Sequence, residues 1–183
     1  MAEFTTHTIE SAPEASKPLL EGATKNFGFT PNLLGVLAES PAALKGYMAV
    51  AGAVGETGLT PTEQQVVLMT TSFENDCIYC MAAHSTVSKM AGVPDDVIES
   101  LRSGTAIADP KLNALATFTR ATVQNHSAVD DAAVDTFLAA GYTNAHVLDV
   151  VLAIAQKIIS NYTNHFSHNQ PDEQFAANAW TKP

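Results

Sequence analysis

The residues best suited to chemistry stand in one short run, Cys77-Ile78-Tyr79-Cys80 followed by His84. The chain has 2 cysteines, Cys77 and Cys80, and a pair this close along the chain cannot staple a fold. On a helix that turns roughly 100° per residue, Cys80 lies about 60° and His84 about 20° from Cys77, so the three share one face. The spacing therefore indicates thiol chemistry.

Two physical effects favour different nucleophiles in this run. The unsatisfied N–H groups and the dipole at a helix N-terminus stabilise a thiolate at Cys77. His84 lies one turn beyond Cys80, a rise of ~6 Å, within reach directly or through one water, but ~10.5 Å along the axis from Cys77. The residues alone leave open which thiol reacts first, and the other is placed to resolve its sulfenic acid as a disulfide.

Other interpretations of the cysteine pair compete with a redox role. Both thiols could be inert, because a free cysteine often behaves as a small buried hydrophobe. They could also bind zinc with His84 and a fourth ligand, although a structural zinc site usually has a second cysteine pair. The candidates for that fourth ligand are His126, His146, His165 and His168. A thioredoxin-like fold is not expected, since the chain lacks strand–helix–strand units.

Helices are the elements that must position these residues. Thr60 and Glu63 form a capping box with Pro61 between them, which predicts a helix to about residue 74. Asp76 is expected to cap the next helix, and together they form a redox helix pair at about 60–92. A long C-terminal helix is predicted at about 144–167. Shorter helices are predicted at about 14–26, 31–37, 41–56, 94–101, 110–125 and 130–140, with a last helical stretch that includes Phe175 and Trp180.

The chain as a whole predicts an all-α fold. It has 183 residues, of which 46% are hydrophobic, enough to bury one sizeable core. No linker divides it, so we predict a single-domain helical bundle over residues 1–183. An apolar stripe on the long helix is predicted to be core or subunit contact, and four methionines are predicted to fill gaps in the core. The stripe consists of Val147, Val151, Ile154 and Ile158, and the methionines are Met48, Met69, Met81 and Met90.

Charge and hydropathy limit the classes of partner. The net charge of −10 repels phosphates, so neither nucleic acid nor an anionic membrane surface is an expected partner. No segment approaches the ~18 apolar residues of a membrane span, and the first residues lack the pattern of a secretory signal. We therefore expect a cytoplasmic protein. Only 15% of residues are charged, against ~25% in typical soluble domains, which favours a homo-oligomer.

The run from Leu59 to Gly92 resembles the alkyl hydroperoxidase D-like branch of the carboxymuconolactone decarboxylase superfamily, in particular its peroxidase-related proteins. The matching motifs are Leu59-Thr60-Pro61-x-Glu63 and Cys77-x-x-Cys80-x-x-x-His84, with further similarity at 28–32 and 161–165. The resemblance implies an all-helical protein without cofactor or metal that forms dimers, trimers or hexamers. It also implies reduction of a peroxide through a disulfide cycle, with electrons from a thiol or dithiol donor.

The resemblance also implies roles for individual residues. Cys80 would be the peroxidatic thiol, Cys77 the resolving thiol and His84 part of the proton relay. The relay glutamate of the family lies twelve residues before the first cysteine, where this chain has Gln65. An amide can orient His84 but cannot take a proton, so we expect a weaker or differently tuned peroxidase. Glu63 is not expected to substitute, because the capping box accounts for it.

Two further functions stay open beside the peroxidase. One is a non-catalytic helical oligomer with structural or metal-binding cysteines. The other is a carboxymuconolactone decarboxylase-like lyase, which the cysteine pair argues against. His165 and His168 are expected at a helix C-terminus, where histidine is electrostatically favoured. A place for Asn164 or His165 in the pocket is implied by the resemblance alone.

Overall fold

This computed structural model describes residues 3–183. These residues form nine α-helices and one 3₁₀ helix joined by loops, without strands. The helices are α1 (Lys17–Phe27), α2 (Asn32–Leu37), α3 (Pro41–Gly55), α4 (Pro61–Glu74), α5 (Ile78–Met90), α6 (Asp95–Ser103), α7 (Pro110–Gln124), α8 (Asp131–Ala139) and α9 (Asn144–Ser167), followed by the 3₁₀ helix Glu173–Asn178. The prediction of an all-α, single-domain bundle is confirmed. The predicted domain spans residues 1–183, of which Met1 and Ala2 lie outside the described range.

Helix α1 begins at Lys17 instead of about residue 14, the other helices begin within about one residue of their predicted starts, and one of the two predicted caps is wrong. The Thr60 hydroxyl accepts from the Glu63 backbone N–H, and Glu63 accepts from the Thr60 N–H at 2.8 Å, so the capping box is complete. The expectation that Asp76 caps α5 is wrong. Cys77 holds the extended backbone of the N-cap residue, whereas Asp76 is in the left-handed region with φ 51°. The first cysteine thus stands at the helix N-terminus itself.

Helix α4 runs through the middle of the molecule, where it packs against α5, α7 and α9. The buried side chains fall into two apolar clusters. The larger includes Val66 and Met69 of α4, and the smaller joins α1–α3 to the start of α5 and to Phe175. Cys77 and Cys80 belong to the smaller cluster, so the cysteine pair is enclosed by the N-terminal helices.

Helix α9 carries a polar stripe on its buried side and an apolar one on its exposed side. Its buried residues include Lys157, Ser160, Asn161 and Asn164, which point into the fold beside α5. The predicted apolar stripe is only partly interior: Val147 and Ile154 pack against the larger cluster, but Val151 is exposed. We define the α9 apolar face as its exposed large apolar side chains, Leu148, Val151, Tyr162 and Phe166.

Two smaller differences concern the ends of elements. Met90 is 83% exposed at the last residue of α5, so the prediction that it fills a core gap is wrong. The last helical stretch is a 3₁₀ helix that ends before Trp180, whose ring is nevertheless buried. Among residues 3–183, no single helix is long and apolar enough to cross a membrane; α8 and α9 meet that criterion only as a pair bent by 110°.

Candidate active site

Cys80 lies in the first turn of α5 and is 2% exposed. Its Sγ receives a hydrogen bond of 3.3 Å from Asn164 Nδ2 and lies 3.8 Å from Ser160 Oγ, both on α9. Asn169 Nδ2 donates to Asn164 Oδ1 at 3.0 Å, which turns the Asn164 amide nitrogen toward the sulfur. The surroundings of Cys80 therefore hold a hydrogen-bond donor aimed at a thiolate.

The pKa values of the two thiols are shifted in opposite directions. Burial raises the pKa of Cys80, but a hydrogen bond from Cys77 and the charge of Lys157 outweigh burial and bring the pKa well below its ordinary value. The hydrogen bond to Cys80, together with burial, raises the pKa of Cys77 far above its ordinary value. Cys80 is therefore the thiolate of the pair, and Cys77 is the thiol that donates to it.

Lys157 supplies the positive charge beside Cys80. It extends from the middle of α9 and is 1% exposed. Burial lowers its pKa, but the negative charge of Cys80 outweighs burial and raises the pKa above the ordinary lysine value. The ammonium is thus paired with the thiolate at a buried position, where such a charge acts more strongly than at the surface.

His84 connects Lys157 to Gln65 and not to the cysteines. Lys157 Nζ donates to His84 Nε2 at 2.9 Å, and His84 Nδ1 donates to Gln65 Oε1 at 3.0 Å. Ser88 Oγ also donates to that Gln65 oxygen, which fixes the orientation of the amide. Burial and the Lys157 charge hold the pKa of His84 well below its ordinary value, so the imidazole is neutral. The residue next to the thiolate is the lysine.

Glu63 and Tyr79 have structural partners elsewhere. Glu63 is buried and accepts hydrogen bonds from Thr60, Lys111 and Tyr142. Burial raises the pKa of Glu63, but these partners outweigh it and lower the pKa to about 2. Tyr79 turns away from the sulfurs and donates to Asp172, and burial with that contact raises its pKa. Neither side chain is available to the thiols as a base.

A cavity of about 370 Å³ opens in front of Cys80. His84, Lys157 and Gln156 line one part of it, and apolar side chains such as Phe27 and Leu68 line much of the rest. Gln156 is 7% exposed, and its Oε1 has no hydrogen-bond partner among residues 3–183. The cavity therefore offers an apolar space with one unused acceptor near the thiolate.

The structure places the four predicted site residues in two contacting pairs and joins the pairs through Lys157. Cys77 and Cys80 contact each other, and Gln65 reaches His84, but Lys157 stands between His84 and Cys80. Sequence reasoning missed Lys157 and Ser160. The available signal was the helical spacing of Val150, Ala153 and Lys157, which places a charged residue on the buried stripe of α9. Among the described residues, no three His, Cys, Asp or Glu side chains form a group that could hold a metal ion.

The family model that matches the chain is that of the carboxymuconolactone decarboxylase family, over residues 41–122. This segment includes Gln65, Cys77, Cys80 and His84, whereas Lys157 and Asn164 lie beyond it. A search of curated proteins found no significant match.

Solved structures share the fold over nearly the whole chain. One is an alkylhydroperoxidase AhpD core, an uncharacterized peroxidase-related protein from Ralstonia eutropha JMP134, with TM-score 0.81, 20% identity and 96% of each chain covered. A peroxidase-related protein from Silicibacter sp. TM1040 gives 0.79, 19% and 95% of each chain. The debrominase Bmp8, in a complex with 2,3,4-tribromopyrrole, gives 0.81 and 17%, with 97% of this chain and 96% of that chain covered. The fold is thus that of AhpD-like proteins.

Proposed function

We propose that the chain, which matches the model of the carboxymuconolactone decarboxylase family over residues 41–122, is a cofactor-free thiol peroxidase of that superfamily. Its substrate would be an organic hydroperoxide, reduced by Cys80 with Cys77 as the resolving thiol. The observation that carries the proposal is the Cys80 thiolate, held by Lys157 and Asn164 at the wall of an apolar cavity with a second thiol in contact.

In the first step the Cys80 thiolate attacks the terminal oxygen of the hydroperoxide. The S–O bond forms, the O–O bond breaks, and an alkoxide leaves. Lys157 lines the same cavity, so its ammonium stabilises the thiolate before the attack and gives a proton to the alkoxide afterwards. The products are an alcohol and the Cys80 sulfenic acid.

In the second step Cys77 attacks the Cys80 sulfur. The S–S bond forms, the S–O bond breaks, and the hydroxide leaves as water with the proton of the Cys77 thiol. The hydrogen bond between the two thiols means that no large movement is needed to bring the sulfurs together. An external thiol or dithiol donor then reduces the disulfide, and it is the only co-reactant besides the peroxide that this scheme requires.

His84 and Gln65 act on the reaction through Lys157. The neutral His84 ring accepts the Lys157 hydrogen bond and is placed to return a proton to the lysine after the lysine has protonated the alkoxide. Gln65 fixes the ring by accepting from Nδ1. An amide cannot carry the proton further, so this relay is shorter than one that ends in a glutamate, and proton return is expected to limit the rate.

The substrate class follows from the cavity. Its volume and apolar lining suit an organic hydroperoxide better than hydrogen peroxide, which is small and fully polar. The O–H of a hydroperoxide is a single donor, and Gln156 Oε1 is a buried acceptor without a partner among residues 3–183. A hydrogen bond between them would satisfy both groups.

Assembly and location complete the proposal. The α9 apolar face exposes four large apolar side chains on one side of a single helix, which supports a homo-oligomer. A reducing cytoplasm would keep both cysteines available as thiols between cycles. The non-catalytic and lyase alternatives are less well supported, because neither uses a buried lysine paired with a thiolate.

A second candidate function is reductive removal of bromine from an aromatic ring. It is favoured by the apolar cavity and by the fold shared with the debrominase Bmp8. In that reaction Cys80 takes the bromine as a sulfenyl bromide while the ring takes a proton, and Cys77 then forms the disulfide and releases bromide. Bromide release from tribromopyrrole, measured beside peroxide consumption, distinguishes the two.

The test of the proposed function is consumption of cumene hydroperoxide with dithiothreitol as the donor. We expect turnover in the wild type and its loss in Cys80→Ser. The Ser167→Ala variant removes a hydroxyl at the end of α9 that lines neither the cavity at Cys80 nor the one at Cys77. It serves as the control and should keep the wild-type rate. Full activity in Cys80→Ser would contradict the proposal.

A further inference from the structure

The cysteine pair borders a second cavity of about 270 Å³. Cys77 and Ile78 line it from the start of α5, and Asn164, His168 and Gln170 line it from the end of α9 and the segment beyond. Cys80 lines only the first of the two cavities and Cys77 only the second, and among residues 3–183 Tyr79 alone lines both. Each sulfur of the pair can therefore be approached from its own cavity.

The two approaches differ in chemistry. The first is mostly apolar, whereas the second is formed largely by carboxylate, amide and imidazole side chains. Tyr79 separates them as a fixed wall, because its ring is buried, packs edge-on against Phe175 and is anchored through its hydroxyl to Asp172. A molecule in one cavity is thus kept apart from a molecule in the other.

We propose that the second cavity is the docking site of the electron donor, a small dithiol that attacks Cys77 while the peroxide approaches Cys80 from the first cavity. This inference rests on the proposed function, since it assigns the reductive half of the same cycle. The volume accommodates a low-molecular-weight dithiol, and the polar lining suits a thiol with hydroxyl or amide substituents.

The reductive step balances as a thiol–disulfide exchange. A donor thiolate attacks Cys77 Sγ, a bond forms between these two sulfurs, and the Cys77–Cys80 bond breaks with its electron pair on Cys80. The second donor thiolate then attacks the donor sulfur of this mixed disulfide and closes the donor disulfide. Cys77 leaves with the other electron pair and takes a proton released by the donor, so one dithiol is oxidised by two electrons.

The direction of attack agrees with the environments of the two sulfurs. An exchange is fastest when the departing sulfur is the more stable thiolate. Cys80 departs into hydrogen bonds from Asn164 and into the charge of Lys157, whereas Cys77 receives one long contact of 3.9 Å from Asn164. Attack on Cys77 is therefore the productive choice, and its cavity is where the donor must enter.

The experiment separates the two half-reactions in a matched pair of variants. Gln170→Trp narrows the second cavity, and Asn26→Trp narrows the first; both residues are exposed and line one cavity each. The disulfide is made with diamide, and its reduction by dithiothreitol is followed by stopped flow. We expect reduction to slow about 10-fold in Gln170→Trp and to stay near the wild-type rate in Asn26→Trp, with the opposite pattern for oxidation by cumene hydroperoxide.

Equal reduction rates in the wild type and Gln170→Trp would overturn the proposal, as would a slowing in Asn26→Trp alone. Ile78→Trp, on the other wall of the second cavity, repeats the test if Gln170→Trp does not fold. Because diamide makes the disulfide without peroxide, the reduction rate remains measurable even if no peroxide is consumed. A second readout is the site of the mixed disulfide formed with 2-mercaptoethanol, located by fragmentation mass spectrometry: Cys77 is expected, and Cys80 would contradict the proposal.

Discussion

Lys157 Nζ donates a hydrogen bond of 2.9 Å to His84 Nε2, and this contact joins the middle of α9 to the helix that carries both cysteines. It changes the role of the histidine. A ring that accepts from an ammonium is neutral, and the low pKa that burial and Lys157 give His84 agrees with that state. The positive charge at the thiolate therefore comes from the lysine, and the histidine holds the lysine in place.

Replacing Gln65 by glutamate should lengthen the proton relay. A carboxylate at this position accepts from His84 Nδ1 as the amide does, but it also stabilises a protonated ring and can pass the proton on. We expect Gln65→Glu to raise the turnover rate with cumene hydroperoxide about 3-fold or more at pH 7. Gln64→Glu, one residue away on the same helix, is the matched control, and an equal rise in both variants would remove the relay explanation.

Replacing Cys77 by serine should stop the cycle after one oxidation. The Cys80 thiolate remains beside Lys157 and Asn164, but no second thiol is in contact to resolve the sulfenic acid. One equivalent of hydroperoxide is consumed quickly, and dimedone then labels Cys80, as measured by mass spectrometry. Rapid oxidation without a dimedone adduct, or sustained turnover with dithiothreitol, would assign the resolving role elsewhere.

Glu63 should contribute to stability in a pH-dependent way. Burial alone would raise its pKa, but its hydrogen bonds lower it to about 2, against an ordinary 4.5, so the contribution is complete above pH 4.5 and is lost as the pH falls toward 2. We expect Glu63→Gln to lower the free energy of unfolding by ~2 kcal/mol at pH 7 and by much less at pH 3. Urea denaturation at the two pH values measures this.

The control for that prediction is Glu21→Gln, which alters an exposed glutamate of α1. It should change the free energy of unfolding little at either pH. If Glu63→Gln lowers the free energy of unfolding by the same amount at pH 3 as at pH 7, the loss of stability comes from packing and not from the carboxylate charge.

The α9 apolar face should mediate association of subunits. Leu148 and Phe166 are each 70% exposed near opposite ends of this helix. We expect the double variant Leu148→Glu with Phe166→Glu to have the mass of a monomer in light scattering at concentrations where the wild type is an oligomer. Ala49→Glu adds a charge to an exposed position of α3 and should leave the oligomer intact; a monomeric wild type would contradict the prediction.

The sequence predicts the helices well because their signals are local. The predicted Thr60–Glu63 capping box is present, and the helices predicted at about 41, 110, 130 and 144 begin after side-chain caps at Ser40, Asp109, Asp130 and Thr143. The prediction that Asp76 caps α5 fails because a sharp turn follows α4. In this turn the Cys77 backbone N–H donates to Ser72 O, and Asp76 adopts the left-handed region. Such a turn depends on how two helices pack, which periodicity does not describe.

The candidate site is predictable only where its residues are close along the chain. Cys77, Cys80 and His84 share one helix, and their proximity follows from helical geometry. Lys157 lies 73 positions beyond His84, and its contact with the ring depends on how α9 packs beside α5. The helical spacing of Val150, Ala153 and Lys157 puts the lysine on an apolar stripe, but this local signal does not show which face of α9 is interior.

The central claim is that the charge of Lys157, together with the hydrogen bond from Cys77, makes Cys80 the thiolate, and the rate of Cys80 alkylation as a function of pH tests the part of Lys157 most directly. In Cys77→Ser, where Cys80 is the one remaining thiol, reaction with iodoacetamide should follow a midpoint well below that of an ordinary cysteine. Adding Lys157→Met should raise the midpoint and slow alkylation at pH 7 about 10-fold or more, while Lys157→Arg should retain part of the effect. An unchanged midpoint in the Lys157→Met protein would contradict the account.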